Sequence, residues 1–186
     1  MAKAPQYATI DIGTTKVCTL VGQIDTSGEI EVVGVGIAPS RGLQKGMVVN
    51  IDEATDAIRA SIQRAVRSSG AQVHHAYIGI TGSHITSVNN RGTVTMIRPD
   101  RLVAPDDVSR VMEAARTTFG VPNNREVIHV LPRGYTLDSQ EGIRNPIGLH
   151  GFRLDVDAHI IMGALTSIQN LTKCVEQLGE IGRAHV

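Results

Sequence analysis

Ten residues near the start, Ala8-Thr9-Ile10-Asp11-Ile12-Gly13-Thr14-Thr15-Lys16-Val17, constrain this chain more than any other stretch. An apolar run, Tyr7 to Ile12, carries a single acid and then breaks at Gly13 into two hydroxyls and a lysine. A second β-rich run, Val17 to Val21, follows at once. Strand, tight polar turn, strand is a hairpin, and its tip collects the groups a phosphate chain needs. Gly13 lets the backbone approach closely and offers its N–H to an anion. Thr14 and Thr15 add hydroxyl donors, and Lys16 adds a point charge for phosphate oxygens. Asp11, at the end of the first strand, is placed to hold Mg²⁺ through the ion's own waters. The same residues also suit a hairpin in which Gly-Thr-Thr merely makes the turn. Both readings stand on these residues alone.

The pattern is not the common P-loop, since no G-x-x-x-x-G-K-[ST] occurs in the chain. Nor does a G-x-G-x-x-G open a helix after a strand; Gly34-Val35-Gly36 sits inside a β-like run. An Asp-x-Gly-Thr-Thr hairpin resembles the first phosphate loop of the actin, Hsp70 and sugar-kinase superfamily, where two facing halves close on ATP. That resemblance implies a superfamily and a cleft, not yet a function.

Composition narrows the classes. The 186 residues can bury one sizeable core or two small ones. Lysines plus arginines equal acids at 18 each, which leaves no basic field for nucleic acid and no acidic tail. A hydrophobic share of 41% with 3% aromatics suits an aliphatic α/β core. No apolar run approaches bilayer length. Met1 to Gln6 lacks a hydrophobic signal core, so the expected place is the cytosol. Cys18 and Cys174 lie far apart and are expected as two buried thiols in a reducing compartment. His74-His75 reads as a solvated loop, since the histidines show no metal-ligand spacing.

In chain order, Asp25-Thr26-Ser27-Gly28 is a turn before a third strand, Ile30 to Ile37, which completes an antiparallel meander. Arg41 to Gly46 is a polar, glycine-marked loop. Asn50-x-x-Glu53 is a capping-box pattern that opens a helix, with Ile51, Ala54, Ile58, Ile62, Ala65 and Val66 at helical spacing and Gly70 as its stop. Ala76 to Ile80 is a buried strand. The sum is β-β-β-α-β, with the phosphate hairpin at its start.

After Gly82 the pattern changes. Ile85 to Val88 and Gly92 to Met96 read as two strands flanking Asn89-Asn90-Arg91. Pro105, Asp106 and Asp107 start a helix with the stripe Val108, Val111, Met112, Ala115 and Phe119, closed by Gly120. Glu126 to Leu131 is a strand that continues past Pro132 to Leu137. Asp138 to Gly151 is too rich in Gly, Pro and Asn for regular structure, and scatter along a surface loop accounts for its Asp138, Glu141, Arg144 and His150. Phe152 to Met162 alternates: Leu154, Val156, Ala158, Ile160 and Met162 on one face, Arg153, Asp155, Asp157 and His159 on the other. A half-wet strand of this kind means a sheet packed on one side only. Thr166 or Ser167 then caps a last helix, with Ile168, Leu171, Val175 and Leu178 inward and Gly179 as its stop.

An insertion of this size, between a first actin-like half and its closing helix, resembles the bacterial FtsA family of cell-division proteins. Lys45 to Asp52 is similar to that family's loop before the first helix. Gly79-Ile80-Thr81-Gly82-Ser83-His84-Ile85, with Asn90 and Gly92, is similar to its crossing into the inserted module. Pro132, Tyr135, Asp138, Gly142, Asn145-Pro146-x-Gly148 and Leu154 follow the module's own pattern. The match runs from about Tyr7 to Gly179.

The resemblance implies an α/β fold: an actin/Hsp70-like, ribonuclease H-like subdomain 1A over residues 1–83 and 163–179, with a small α+β, SHS2-type subdomain 1C over 84–162. It implies ATP with Mg held by Asp11, Gly13, Thr14, Thr15 and Lys16, at most weak ATPase activity in a full-length protein, and no catalytic residue here. It further implies filament formation, FtsZ and later division proteins as partners, no nucleic acid, and a place on the cytoplasmic face of the membrane at the division site. The second phosphate loop, the FtsZ-binding subdomain and the C-terminal membrane helix of such proteins are not among these residues. Residues 180–186 back-translate to a string similar to a sequencing adapter, so this tail is expected to be non-native. A sugar or acid kinase shares the hairpin but needs a catalytic acid and substrate pocket that do not show here. An Hsp70-type chaperone carries its insertion elsewhere. A pilus-assembly relative of the PilM type shares the insertion site, and the wording at Gly79 to Gly92 and Asn145 to Gly148 favours division.

Overall fold

A computed structural model describes residues 6–71, 73, 75–178 and 183–185. Along the chain the elements are β1 (Gln6–Ile12), β2 (Lys16–Ile24), β3 (Ile30–Pro39), β4 (Leu43–Gln44), β5 (Met47–Val48), α1 (Ile51–Ser69) and β6 (His75–Ile80). Then follow β7 (Thr86–Thr95), α2 (Pro105–Phe119), β8 (Arg125–Leu137), β9 (Gln140–Ile143), β10 (Arg153–Ala164), α3 (Leu165–Glu176) and β11 (Arg183–His185). The chain divides into two compact units, one of residues 1–84 with 165–186, the other of residues 85–164.

The first unit holds a five-stranded sheet in the order β11-β6-β1-β2-β3. β1, β2 and β3 form the antiparallel meander, while β6 runs parallel to β1 and β11 parallel to β6. Alternation along β1 and β2 sends Ala8, Ile10, Ile12, Val17 and Val21 to one face, where they meet Ile58, Ile62 and Ala65 of α1 and Leu171 and Val175 of α3. Each fully buried Ile here is worth about 2–3 kcal/mol relative to exposure.

Two glycines in β3 explain how α1 comes so close. A Cβ on Gly36 would stand 1.9 Å from the Ser61 carbonyl oxygen, and one on Gly34 would stand 2.6 Å from that of Ala65. The Ser61 hydroxyl donates to the Gly36 carbonyl at 2.8 Å and also meets the Thr19 hydroxyl at 2.7 Å, so this buried pair is satisfied. β3 is an edge strand, and α1 covers its outward backbone: Val35 N–H donates to the Ser68 hydroxyl, and Arg64 donates to the Ile37 carbonyl. That blunts an edge that would otherwise invite another strand.

Helix α1 starts as expected, with the Asn50 side chain accepting from the N–H groups of Asp52 and Glu53, and Gly70 ends it at φ 63°. Only half of a capping box is made, because the Asn50 N–H goes to the Gly42 carbonyl. The polar loop from Arg41 is more ordered than expected: β4 and β5 pair around Lys45 and Gly46, at φ 51° and 79°. Two successive left-handed residues make a two-residue hairpin turn. Helix α3 starts at Leu165, so Thr166 and Ser167 lie in its first turn and do not cap it. The expected stop at Gly179 and His74 lie outside the described residues, as does most of the tail; Arg183–His185 run along β6.

In the second unit the sheet order is β7-β10-β8-β9, with α2 on one face. The two expected strands before α2 are one, because Asn89, Asn90 and Arg91 each pair with β10 opposite His159, Ala158 and Asp157. Gly92 admits α2, since a Cβ there would stand 2.3 Å from the Val111 carbonyl oxygen. α2 begins at Pro105, and the Asp107 carboxylate accepts the Ala104 N–H at 2.9 Å. β8 carries Pro132 without breaking, through a register shift that leaves Arg133 bulged between partners of Asp157 and Ala158. The stretch after Leu137 is not all loop. Asp138, at φ 55°, turns the chain into β9, and its carboxylate accepts the N–H groups of Phe152 and Arg153 at 2.9 Å each.

Candidate functional site

The β1–β2 hairpin closes tightly. Ile12 pairs with Val17, and the Gly13 N–H donates to the Lys16 carbonyl at 3.0 Å. A Cβ on Gly13 would stand 3.0 Å from that same oxygen, so the turn needs glycine for closeness. This N–H, expected from the sequence to face an anion, is committed to the turn. What the tip presents outward is the side chains of Thr14, Thr15 and Lys16, all exposed. The Thr15 carbonyl accepts the Ser40 N–H at 3.0 Å, which ties the tip to the end of β3.

Asp11 is exposed on the sheet face away from α1. By register it lies between Cys18 of β2 and Gly79 of β6. A Cβ on Gly79 would come 3.5 Å from Asp11 Oδ1, so glycine there leaves one flank of the carboxylate bare. Cys18 is only half-buried, against the expectation of two buried thiols; Cys174 is fully buried, and burial raises its thiol pKa. Because β1 and β6 run parallel, their carboxyl ends lie at one end of the sheet, the end at which open α/β sheets bind ligands. There the Lys45-Gly46 turn sits on Thr81 and Gly82: a Cβ on Gly46 would stand 2.0 Å from the Thr81 carbonyl oxygen. Sequence reasoning missed Gly79 as the neighbour of Asp11. Its signal was a glycine inside a buried strand, which marks close approach.

The second unit's bare sheet face is polar, but its acids differ. Asp157 is exposed, whereas Asp155 is 2% exposed. Asp155 accepts from the Thr93 hydroxyl at 2.5 Å and from Arg153 Nε at 3.0 Å, and pairs with Arg91 at 3.1 Å. Burial alone would raise its pKa; the two hydrogen bonds and the two guanidinium charges outweigh this and hold it below the usual carboxylate value. Asp155 therefore braces the sheet: it lies on the face that the alternation marks as wet, yet its partners close over it and bury it. His159 Nδ1 meets the Asn89 side-chain oxygen at 2.7 Å. Among the described residues no group of three or more His, Cys, Asp and Glu gathers as a metal centre requires, and no helix is long and apolar enough to cross a membrane.

Residues 82–162 match the family model described as the SHS2 domain inserted in FTSA. Over 170 residues the chain is 43% identical to the cell division protein FtsA of Pseudomonas aeruginosa, covering 91% of this chain and 40% of that one. Over 180 residues it is 40% identical to the FtsA of Neisseria meningitidis, covering 96% and 43%. The chain thus spans about two fifths of the length of these relatives. Among solved structures, one from a PilM-PilN type IV pilus biogenesis complex superposes with a TM-score of 0.59, covering 99% of this chain and 47% of that one at 11% identity. At that identity the likeness shows a shared actin-like fold and nothing about pili.

Proposed function

We propose that the chain is a member of the FtsA family of cell-division proteins and forms the N-terminal, nucleotide-binding part of an actin-like protein of the division machinery. The observation that carries this reading is 43% identity spread over 91% of the chain, together with a family match to the inserted unit. The longer protein helps assemble the Z ring, anchors FtsZ filaments on the cytoplasmic face of the membrane, recruits later division proteins, and self-associates into filaments.

In this reading the hairpin tip holds the phosphates of ATP. Thr14 and Thr15 donate hydroxyl hydrogen bonds, Lys16 supplies charge, Gly13 keeps the turn tight, and Asp11 orients Mg²⁺ through water. The exposure of all three outward side chains and the bare flank of Asp11 beside Gly79 fit that role. Bound Mg²⁺ neutralises phosphate charge; the protein groups bind and orient. This piece carries one phosphate loop, so ATP would face water on its other side and bind weakly. Asp157, His159 and Arg153 on the polar face of the inserted unit are the proposed rim for partners, where charge sets choice and encounter rate.

The test is calorimetric titration of Mg-ATP into this chain fused to the remainder of the Pseudomonas aeruginosa relative. Lys16→Ala should weaken binding about tenfold or more, roughly 1.4 kcal/mol, at unchanged melting temperature. Full affinity in Lys16→Ala, or a collapsed melting temperature, removes Lys16 from the site.

A further inference from the structure

Lys45 occupies the first central position of the β4–β5 turn at φ 51°, where asparagine, aspartate or glycine is the common choice. A non-glycine residue in the left-handed region persists only where its surroundings hold it, and such residues gather at ligand clamps. Here the surroundings are backbone. A Cβ on Gly46 would stand 2.0 Å from the Thr81 carbonyl oxygen and 2.8 Å from Gly82 Cα, and one on Gly82 would stand 2.8 Å from the Lys45 carbonyl oxygen. Two glycines thus seat the turn flat on the segment that leaves β6. The Lys45 side chain is exposed, and among the described residues no ion pair engages its ammonium. A turn shaped for its geometry alone gains nothing from lysine at this position.

What lysine adds follows from where the turn sits. β1 and β6 pair in parallel as far as Ile12 with Ile80, so the chain leaves both strands at the same end, through Gly13 on one and Thr81 on the other. The turn rests on Thr81, and adjacent strands lie about 4.8 Å apart. Lys45 therefore stands one strand spacing and one backbone contact from the hairpin tip, within reach of a flexible four-carbon stem. In the order β6-β1-β2, Lys16 begins β2 and Lys45 sits over the end of β6, so the two cations flank the end of β1 from opposite sides. We propose that Lys45 is a further phosphate-binding residue, whose ammonium meets the phosphate chain of ATP from the β6 side of the tip while Lys16 meets it from the β2 side. This deepens the nucleotide site proposed above and rests on it.

The experiment titrates Mg-ATP into the same fusion with the Pseudomonas aeruginosa remainder, carrying Lys45→Gly, Lys45→Asn or Lys45→Arg beside Lys16→Ala. Glycine and asparagine accept positive φ more readily than lysine, so both variants should melt at or above the parent temperature. Each should nevertheless bind about tenfold more weakly, because a charge-assisted hydrogen bond is gone. Lys45→Arg, which keeps the charge, should retain most of the affinity. The loss should shrink as salt is added, since the charge is exposed and screened. Parent affinity in Lys45→Gly and Lys45→Asn, with Lys16→Ala still weak, overturns this inference and leaves the nucleotide site standing; parent affinity in all of them removes the site as well. A loss that comes with a lowered melting temperature in both Lys45→Gly and Lys45→Asn, or that salt does not change, assigns Lys45 to the turn alone and also overturns the inference.

Discussion

Arg91 of β7 and Asp155 of β10 meet on the bare face of the inserted sheet, Nη2 3.1 Å from Oδ2, with the guanidinium half exposed and the carboxylate buried. Arg153 holds the other carboxylate oxygen at 3.0 Å, beside the Thr93 hydroxyl. Three donors on two strands therefore converge on one acid. The bond is asymmetric: both arginines keep water if the acid is lost, but the acid has none to fall back on.

Asp155→Ala should destabilise the inserted unit by about 2 kcal/mol, since it removes several charge-assisted hydrogen bonds at once. Asp157→Ala, at an exposed position on the same strand, should stay within about 0.5 kcal/mol of the parent. Urea denaturation followed by circular dichroism compares them. Equal midpoints for the two variants would mean that the cluster is no brace.

The same acid sets a pH dependence. Its folded-state pKa is lowered, so its contribution is fully present above the unfolded carboxylate pKa and is lost as pH falls through the folded value. The stability gap between the parent and Asp155→Asn should be widest near neutrality and should narrow in acid below the usual carboxylate range. A gap that is constant from neutral to acid pH would show that the carboxylate's charge contributes nothing.

Asp155 also marks the limit of what the sequence revealed. Period-two alternation placed it on the polar face, and it is there. Alternation carries no information about Thr93 and Arg91, which lie more than sixty positions away and close over the acid only when β7 pairs with β10. The hairpin, the meander, α1 and its caps were legible because their signals are local: period, Asn50, Gly70. β9 was not, because its turn rests on Asp138 at positive φ, a conformation for which glycine is the usual sign. At the candidate site, Asp11 and Lys16 were legible as residue types, whereas the commitment of the Gly13 N–H and the approach of Gly79 needed the pairing of β1 with β2 and β6.

Gly36 should be the least replaceable glycine of the first unit. An alanine methyl there would stand 1.9 Å from the Ser61 carbonyl oxygen and 2.5 Å from Ala65 N, both backbone atoms that cannot step aside alone. Moving α1 off β3 should cost about 3 kcal/mol or more. Gly134→Ala, with nothing within 4 Å, serves as the control and should be nearly silent. Thermal melts of the two variants decide it, and a Gly36→Ala protein that melts with the parent would mean that α1 does not sit this close.

Gly79 gives the sharpest test of Asp11. The two residues are partners in parallel register, and Gly79 is exposed on the side of the sheet that bears the carboxylate. A single methyl at position 79 would make ordinary contact with Asp11 Oδ1 at 3.5 Å, so Gly79→Ala should fold and bind much like the parent. Valine adds two further methyl groups that reach over the carboxylate, while its β-branched shape suits a strand and should leave the melting temperature equal or higher. If Asp11 holds hydrated Mg²⁺, Gly79→Val displaces those waters and should weaken Mg-ATP binding in the fused full-length chain by about tenfold, roughly 1.4 kcal/mol. Binding of nucleotide without the metal should change far less, because Thr14, Thr15 and Lys16 remain in place. Calorimetric titrations with and without Mg²⁺ separate the two effects. An equal loss in both would point to a distorted hairpin, and no loss in either would take Asp11 out of the metal's reach.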